Sequence, residues 1–413
     1  MKTLKNYLSE AAGKNTHMTH IEDLILDGGV KGARQAINAL RSMRDMLSGN
    51  TKAPIDITVK WDGAPAVFAG EDPEDGQFFV AKKGIFAKSP KIYKSHADID
   101  ADTSGDLSKK LKLAFDHLKD LGIKDVIQGD FMFDASDLKK ERINGVGYIT
   151  FHPNTILYAV PLGSRLAKDI QKAKIGIVWH TSYSGKSFES MKAEFGRDIV
   201  SKLKKDRDVW QDDATLKDVS GTATLTASET SMLNSNLSNA GRVFQKIASK
   251  SLKEIEDNKE LNLVINIYNN RKVREGQRIE NTAKHAKGLI MFVKDRYAKA
   301  IDKRSSDAGK QVQIDKRDEL LSFFSDDNLD QLELIFDLHN YVTDSKIIII
   351  NKLNKLSNMG TFVKTKSGFK VTGVEGFVAI DRMEGGAVKL VDRLEFSTNN
   401  FSKDIIKGWD NPG

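Results

Sequence analysis

The sequence contains no cysteine among its 413 residues. Disulfide bonds and thiolate metal sites are therefore excluded. No stretch approaches the roughly 20 apolar residues that a membrane-spanning helix needs, and the longest apolar runs, such as Ile347 to Ile350, have the length of core segments. The first residues also lack the apolar segment of a secretory signal. We therefore expect a cytoplasmic protein with no membrane partner.

The charge of the chain is modestly positive. Lys and Arg number 64 against 57 Asp and Glu, which gives a formal net charge of +7. An excess of this sign favours a polyanionic partner such as nucleic acid, although a solvated lysine-rich surface gives the same count. Apolar residues make up 39% of the chain, which is enough for a core. The length predicts two units, or one large domain with an insertion.

The spacing of apolar residues divides the chain into three kinds of segment. Residues 1–50 are predicted to be helical. Thr19 to Glu22 has the spacing of a capping box. Beyond it, apolar residues recur at helical intervals at Ala33, Ala36, Ile37, Leu40 and Leu47.

Strands are predicted in 51–185 and 359–413, where apolar and polar residues alternate, as at Ile55, Ile57 and Val59. Residues 186–358 are rich in Lys, Glu, Asn and Ser, and their apolar residues have helical spacing. The predicted fold class is therefore α+β, with a sheet-rich core interrupted by a mainly helical insertion.

The stretch from Val59 to Gly63 is the segment best suited to chemistry. Lys60 lies at the end of a predicted strand, and a lysine nucleophile must be neutral, a form that nearby cations and partial burial favour. Asp62, two residues on, points to the same side if the strand continues, where it orients the amine or holds a metal. Gly63 allows close approach of the backbone to a nucleotide. The alternative is a salt-bridged lysine before a surface turn.

The tetrapeptide Lys60-Trp61-Asp62-Gly63 resembles motif I, KxDG, of the covalent nucleotidyltransferases, which are DNA ligases, RNA ligases and mRNA capping enzymes. Three later stretches resemble further motifs of this family in the same order. Val126 to Phe131 resembles motif III, with Asp130 where the family usually has Glu. Val374 to Val378 resembles motif IV through Glu375, and Val388 to Val391 resembles motif V through Lys389.

The resemblance implies a ligase-type nucleotidyltransferase core of antiparallel sheets with flanking helices, interrupted by the helical insertion. It also implies that Lys60, Asp62 and Lys389 are catalytic, with ATP as the AMP donor. Mg²⁺ is then the implied cofactor, held by Glu375 and Asp130.

Further nucleotide-binding residues follow from the same resemblance. Gly63 and Lys389 contact the nucleotide, and Lys389 neutralises charge on the α-phosphate. Lys82 and Lys83 lie where motif Ia has a basic residue, although a solvated lysine pair is the alternative. Tyr158 is the candidate for the motif IIIa aromatic that stacks on the purine, and Phe151 and Trp179 are alternatives.

The function that the resemblance implies is an ATP-dependent polynucleotide ligase that acts through a lysyl-AMP at Lys60. RNA ends are favoured, because only 24 residues follow Lys389, fewer than the OB domain of capping enzymes and nick-sealing DNA ligases requires. A DNA ligase in which the helical insertion, a candidate nucleic-acid-binding module, replaces that domain is one alternative. The other is a non-catalytic phage nucleic-acid-binding protein, which the departures at Asp130 and Val391 keep open. In style the chain resembles marine bacteriophage proteins, which implies the host cytoplasm.

Overall fold

The fold is known from a computed structural model, which describes residues 18–49, 55–195, 198–216, 224–356, 359–381 and 387–410. Residues 1–17 and 50 of the predicted N-terminal helical segment lie outside this part of the chain, as do short pieces of the other predicted segments. The described residues form a mixed α+β structure in which nearly all strand pairs are antiparallel.

The strands and helices of the described ranges follow in chain order. The strands are β1 (Ile55–Lys60), β2 (Ala66–Glu71), β3 (Phe78–Ala81), β4 (Ile92–Tyr93), β5 (Val126–Asp134), β6 (Lys139–Ile143), β7 (Val146–Phe151), β8 (Leu157–Pro161), β9 (Ile175–Ser184), β10 (Lys192–Phe195), β11 (Val209–Asp213), β12 (Gly360–Thr365), β13 (Gly368–Val371), β14 (Gly376–Asp381), β15 (Ala387–Leu390) and β16 (Ile405–Ile406). The α-helices are α1 (Leu24–Asp27), α2 (Gly29–Leu47), α3 (His96–Asp102), α4 (Gly105–Leu118), α5 (Arg165–Lys172), α6 (Ala227–Lys246), α7 (Ser249–Asp257), α8 (Lys259–Arg274), α9 (Thr282–Asp302), α10 (Asp307–Ser322), α11 (Asp326–Leu353) and α12 (Arg393–Phe401).

The strands of the described residues form three sheets. Sheet A has the order β1-β14-β15. Sheet B has the order β10-β9-β5-β2-β3-β4, with β11 parallel to β9. Sheet C has the order β13-β12-β8-β7-β6, with β16 beside β12. Sheet C contains a tight hairpin between β6 and β7. Its turn residues Asn144 and Gly145 both have positive φ values, which give the twist that a two-residue hairpin needs.

Sheet A separates the helical core from the site described below. Side chains alternate along its strands. Ile57, Val59 and Phe377 lie on the face that packs into the helical core. Thr58 and Lys389 lie on the opposite face, because both are paired with Val378. Lys60 follows Thr58 by two residues and therefore shares that face.

The helices on the buried face of sheet A form one core together with the N-terminal region. Helix α2 packs against α6, α7 and α11, and its buried residues join the same apolar cluster as those of the later helices. Of the helices in the described ranges, none has the combination of length and apolar content that a bilayer crossing requires.

The start of the N-terminal helix differs from the prediction. Instead of capping a helix, Thr19 to Ile21 run beside β15: the N–H of Ile21 donates to the carbonyl of Lys389 (3.1 Å), and the N–H of Lys389 donates to the carbonyl of Thr19 (3.0 Å). The first helix begins at Leu24 without a side-chain cap. The predicted capping box is therefore wrong, because the free edge of β15 offers these residues sheet hydrogen bonds.

The helical part of the chain also begins later than the sequence placed it. Strands β10 and β11 both pair with β9, so sheet B extends to Asp213. The helices of the predicted insertion lie between Ala227 and Leu353. Both added strands are short and carry charged residues, so their alternation is hard to recognise in a lysine-rich segment.

A buried ion pair ties the N-terminal segment to this helical core. Nζ of Lys346 lies 2.6 Å from Oε1 of Glu22, and both side chains are 1% exposed. Arg393 lies 3.6 Å from Glu22 and 2.8 Å from Asp23. Burial alone raises the pKa of Glu22, but Lys346, with help from its other cationic neighbours, holds it down at about 2. The cluster therefore joins the N-terminal segment, α11 and α12.

We expect Lys346→Met to lower the free energy of unfolding by about 3 kcal/mol, because it leaves the Glu22 carboxylate buried without its nearest cation. The double variant Glu22→Gln/Lys346→Met should recover most of that loss, since it buries no unpaired charge. Urea denaturation followed by circular dichroism measures both. A single variant as stable as wild type would contradict this role of the pair.

Candidate active site

The site lies where the end of β1 meets the start of β14. Lys60 is the last residue of β1 and pairs with Gly376, so Glu375, one residue earlier, reaches the lysine side chain. The ammonium of Lys60 contacts Oε1 of Glu375, and the two side chains are 29% and 13% exposed. Residues that lie far apart in the sequence thus form one partly buried ion pair.

Three hydrogen bonds hold the carboxylate of Asp62 in place. Its carboxylate accepts from Nδ2 of Asn154 (2.7 Å) and from the backbone N–H groups of Thr155 and Ile156 (2.8 Å each). Burial, followed by the charge of Glu375, raises the pKa of Asp62 to about 6. Asp62 therefore anchors the loop before β8 to the lysine motif, and these three bonds occupy both of its oxygens.

The aromatic candidates for purine stacking all lie in the core. Tyr158 is 1% exposed, Phe151 1% and Trp179 0%. The ring of Tyr158 stacks on Phe151 with centroids 5.4 Å apart and packs against Trp61 at 5.2 Å. Its hydroxyl accepts a hydrogen bond from the backbone N–H of Asp62 (2.8 Å). Tyr158 therefore positions the motif, and none of the three rings presents an open face.

Gly63 brings β5 against the lysine motif. A Cβ atom at this position would lie 2.5 Å from Cβ of Asp130 and 2.8 Å from Sδ of Met132. Both distances are too short for any side chain, so only glycine allows this approach. Because of this close contact, Asp130, which lies on β5 in the middle of sheet B, is next to the Lys60–Gly63 segment.

The carboxylate of Asp130 is held in a poorly solvated place. Burial raises its pKa to about 7; the charge of Lys60 opposes this shift, and the charges of Glu375 and Asp62 add to it. Each of these groups therefore acts electrostatically on the others. Three carboxyl groups therefore lie within electrostatic reach of the Lys60 ammonium, and Glu375 is the one that contacts it.

The carboxylates of this site are sufficient to bind a metal ion only together with phosphate oxygens. Within the described ranges, no group of three or more His, Cys, Asp or Glu side chains is arranged to hold an ion. Mg²⁺ that is bound to nucleotide phosphates commonly takes only one or two protein carboxylates. Asp130 and Glu375 supply those two, whereas Asp62 is already engaged. The residues therefore fit Mg²⁺ together with a phosphate ligand.

The predicted lysines divide into two groups. Burial, and next the charge of Lys60, lowers the pKa of Lys389, which lies on the same face of sheet A. Lys83 acts electrostatically on both Lys389 and Asp130. Lys82, in contrast, pairs with Asp102 at 2.8 Å. Lys83 thus lies within electrostatic reach of the site, whereas Lys82 has a partner elsewhere.

His180 is a neighbour of the site that sequence reasoning missed. Gln128 pairs with Thr181 and Gly129 pairs with Trp179, so His180 is the extra residue of a β-bulge. Burial, followed by the charge of Lys60, lowers its pKa to about 4. Bulges often redirect a side chain toward an active site. No sequence signal marks this one, because a histidine after apolar strand residues resembles any core histidine.

The sequence analysis also missed α12, which borders the site. A narrow crevice beside Asp62 and Glu375 is lined on its other side by residues of this helix, including Glu395 and Asn400. Oδ1 of Asn400 accepts a hydrogen bond from the Thr155 hydroxyl at 3.1 Å. Helix α12 therefore secures the same loop that Asp62 anchors.

Comparison with known proteins places the chain in a family. Residues 15–405 match the family of unknown function DUF6267, and the chain belongs to that family. No curated protein and no solved structure matches it.

The pKa of Asp130 makes the stability of the metal-free protein depend on pH. Burial raises the pKa of this carboxyl from its ordinary 3.8 to about 7. The unfolded chain therefore loses this proton first, so stability falls as pH rises from about 4 to about 7, and the loss is complete above that. We expect Asp130→Asn to stabilise the protein in EDTA by about 2 kcal/mol more at pH 8 than at pH 5. Thermal unfolding measures this difference, with the exposed Asp120→Asn as control. An equal effect of Asp130→Asn at both pH values would contradict it.

Proposed function

We propose that this chain is an ATP-dependent polynucleotide ligase that forms a lysyl-AMP at Lys60 on a ligase-type nucleotidyltransferase core. The observation that carries the proposal is the contact of Lys60 with Glu375 beside Asp130, with Lys389 on the same sheet face. These four residues are the ones that resemble motifs I, IV, III and V. A resemblance found in four separate stretches of sequence thus corresponds to one cluster in space.

The first step of the proposed reaction needs Lys60 as a neutral amine. Its ammonium gives up a proton to water, since Glu375, which contacts it, would be a ligand of Mg²⁺ when the nucleotide is bound. The lone pair of Nζ then attacks the α-phosphorus of ATP, the P–N bond forms, and the bond to the bridging oxygen breaks as pyrophosphate leaves. Lys389 neutralises charge on the α-phosphate. Bound Mg²⁺ supplies further charge neutralisation on the phosphates.

The second and third steps transfer the activated AMP and use it. An oxygen of a 5′-phosphate end attacks the phosphorus of the lysyl-AMP, the P–N bond breaks, and Lys60 takes up a proton. A 3′-hydroxyl then attacks the activated 5′-phosphorus and loses its proton to water, and AMP leaves with the electron pair of the anhydride bond. Lys60 is free again at the end of this cycle. In all three steps the residues of the chain act mainly by positioning the reacting groups and by neutralising charge.

The departure from motif V at Val391 has a packing reason. A Cβ at Gly376 would lie 2.7 Å from Cγ2 of Val391, and Val391 is 4% exposed. A lysine at 391 would therefore bury its charge against β14. In our proposal Lys83 supplies the second cation instead, since its charge reaches Lys389 and Asp130.

We expect wild-type protein incubated with α-labelled ATP and Mg²⁺ to keep the label through denaturing electrophoresis. Lys60→Ala and Lys60→Arg should take up none, because neither provides an amine that can form the P–N bond at this place. Lys168→Ala, an exposed lysine of α5, is the control and should label like wild type. Unlabelled wild type that mass spectrometry also shows to be free of AMP would refute the proposed enzyme and favour a non-catalytic binding protein.

RNA ends are the substrate class that we propose first, because Glu375 to Val378 resembles motif IV of RNA ligases. Pre-labelled protein should pass its AMP to 5′-phosphorylated single-stranded RNA and release it on joining. A nicked DNA duplex of the same sequence is the comparison substrate. Faster sealing of the DNA nick than of the RNA ends would replace the RNA ligase with the DNA ligase.

A further inference from the structure

The positive charge of this protein is concentrated in one segment. Residues 271–316 contain 13 Lys and Arg against 6 Asp and Glu, a formal charge of +7. The entire chain carries the same net charge of +7, so the remaining residues are balanced. An excess confined to one region creates a stronger local potential than the same charges spread over the surface.

The basic segment covers the end of α8 and the helices α9 and α10, which together enclose a groove of about 620 Å³. Five basic side chains line it, and they are Arg271, Arg296, Lys299, Lys303 and Lys316. Its acidic side chains are Glu260 and Asp295. Positive charge therefore dominates the walls of a concave surface of the helical module.

Three of the five basic side chains that line the groove are not neutralised by carboxylates of the described residues. Lys299, Lys303 and Lys316 are exposed, and none of them forms an ion pair in the part of the chain that the structure describes. Glu260 accepts a hydrogen bond from the Tyr297 hydroxyl at 2.7 Å. Clustered lysines without carboxylate partners repel one another and attract an anion with several charges.

The groove is connected to the active site through α8. Arg271 of this helix lines the groove, while Asn270 beside it accepts a hydrogen bond from Arg393 at the start of α12. Arg274 lies over the ring of Phe401 at the end of α12, 5.9 Å from its centroid. Because α12 borders the crevice beside Asp62 and Glu375, one pair of packed helices links the two places.

We propose that this groove binds the sugar–phosphate backbone of a polynucleotide. A polynucleotide fits this surface better than an acidic protein segment does. Each unit of its backbone carries a phosphate, and the exposed lysines of the groove have no carboxylate partner among the described residues that would fix their positions. Recognition is independent of sequence and weakens with salt. The inference rests on the proposed function only in one respect, namely that the bound strand has its reacting end at Lys60.

The experiment uses the full chain and a short fluorescent single-stranded RNA of mixed sequence, with binding followed by anisotropy over a series of salt concentrations. The variant is Lys299→Glu/Lys303→Glu/Lys316→Glu. Its matched control is Lys140→Glu/Lys168→Glu/Lys172→Glu, which makes the same change in net charge at exposed lysines elsewhere. Circular dichroism verifies that both variants are folded.

We expect the groove variant to bind RNA at least about tenfold more weakly, with the slope of log K against log salt reduced by about 2. The control should stay within about twofold of wild type. Equal losses in both variants, or no loss in the groove variant, would overturn the proposal. Tighter binding of polyglutamate than of RNA, lost in the groove variant, would overturn it in favour of an acidic protein partner.

Self-labelling with α-labelled ATP separates this inference from the proposed function. Lys60 should label equally in wild type, the groove variant and the control, because none of the substituted lysines lies at the site. A labelled protein whose RNA binding ignores the groove substitutions would refute the groove alone. An unlabelled, AMP-free protein whose RNA binding depends on them would refute the ligase alone.

Discussion

The ammonium of Lys60 and the carboxylate of Glu375 meet across the pairing of β1 with β14, and the other charges of the site are placed around that contact. Charges that are partly removed from water need partners, because desolvation is costly. Burial, to which the charge of Glu375 adds, raises the pKa values of both Asp62 and Asp130. Additional positive charge would stabilise these carboxylates, and in the proposed reaction Mg²⁺ would supply it.

The helical core supports the Lys60–Glu375 contact from the opposite face of sheet A. Val59 and Phe377 anchor β1 and β14 in the apolar cluster of the helices, while Thr19 to Ile21 bind the backbone of Lys389. The Glu22–Lys346 ion pair then fixes that N-terminal segment to α11. The helices that form the basic groove, α8 to α10, contribute to the same apolar cluster as β1 and β14, so the groove and sheet A share one core.

Sequence periodicity predicted the elements well where the signal is local. The alternation at Ile55, Ile57 and Val59 predicted β1, and the helical spacing from Ala33 to Leu47 predicted α2. The bulge at His180 could not be predicted, because it is set by the register of two strands that are distant in sequence. The same holds for the strand-like pairing of Thr19 to Ile21, in which a free sheet edge overrides a local helix signal.

The pairing of β1 with β14 joins residues more than 300 positions apart, and this separation has a consequence for biosynthesis. At about 5–20 residues per second, a ribosome needs roughly 15 to 60 s after making β1 before β14 emerges. During that interval β1 has no strand partner in sheet A, and Lys60 has no Glu375 beside it. A chain on the ribosome therefore carries the lysine without its carboxylate partner until β14 has been made, and the site is assembled only after that.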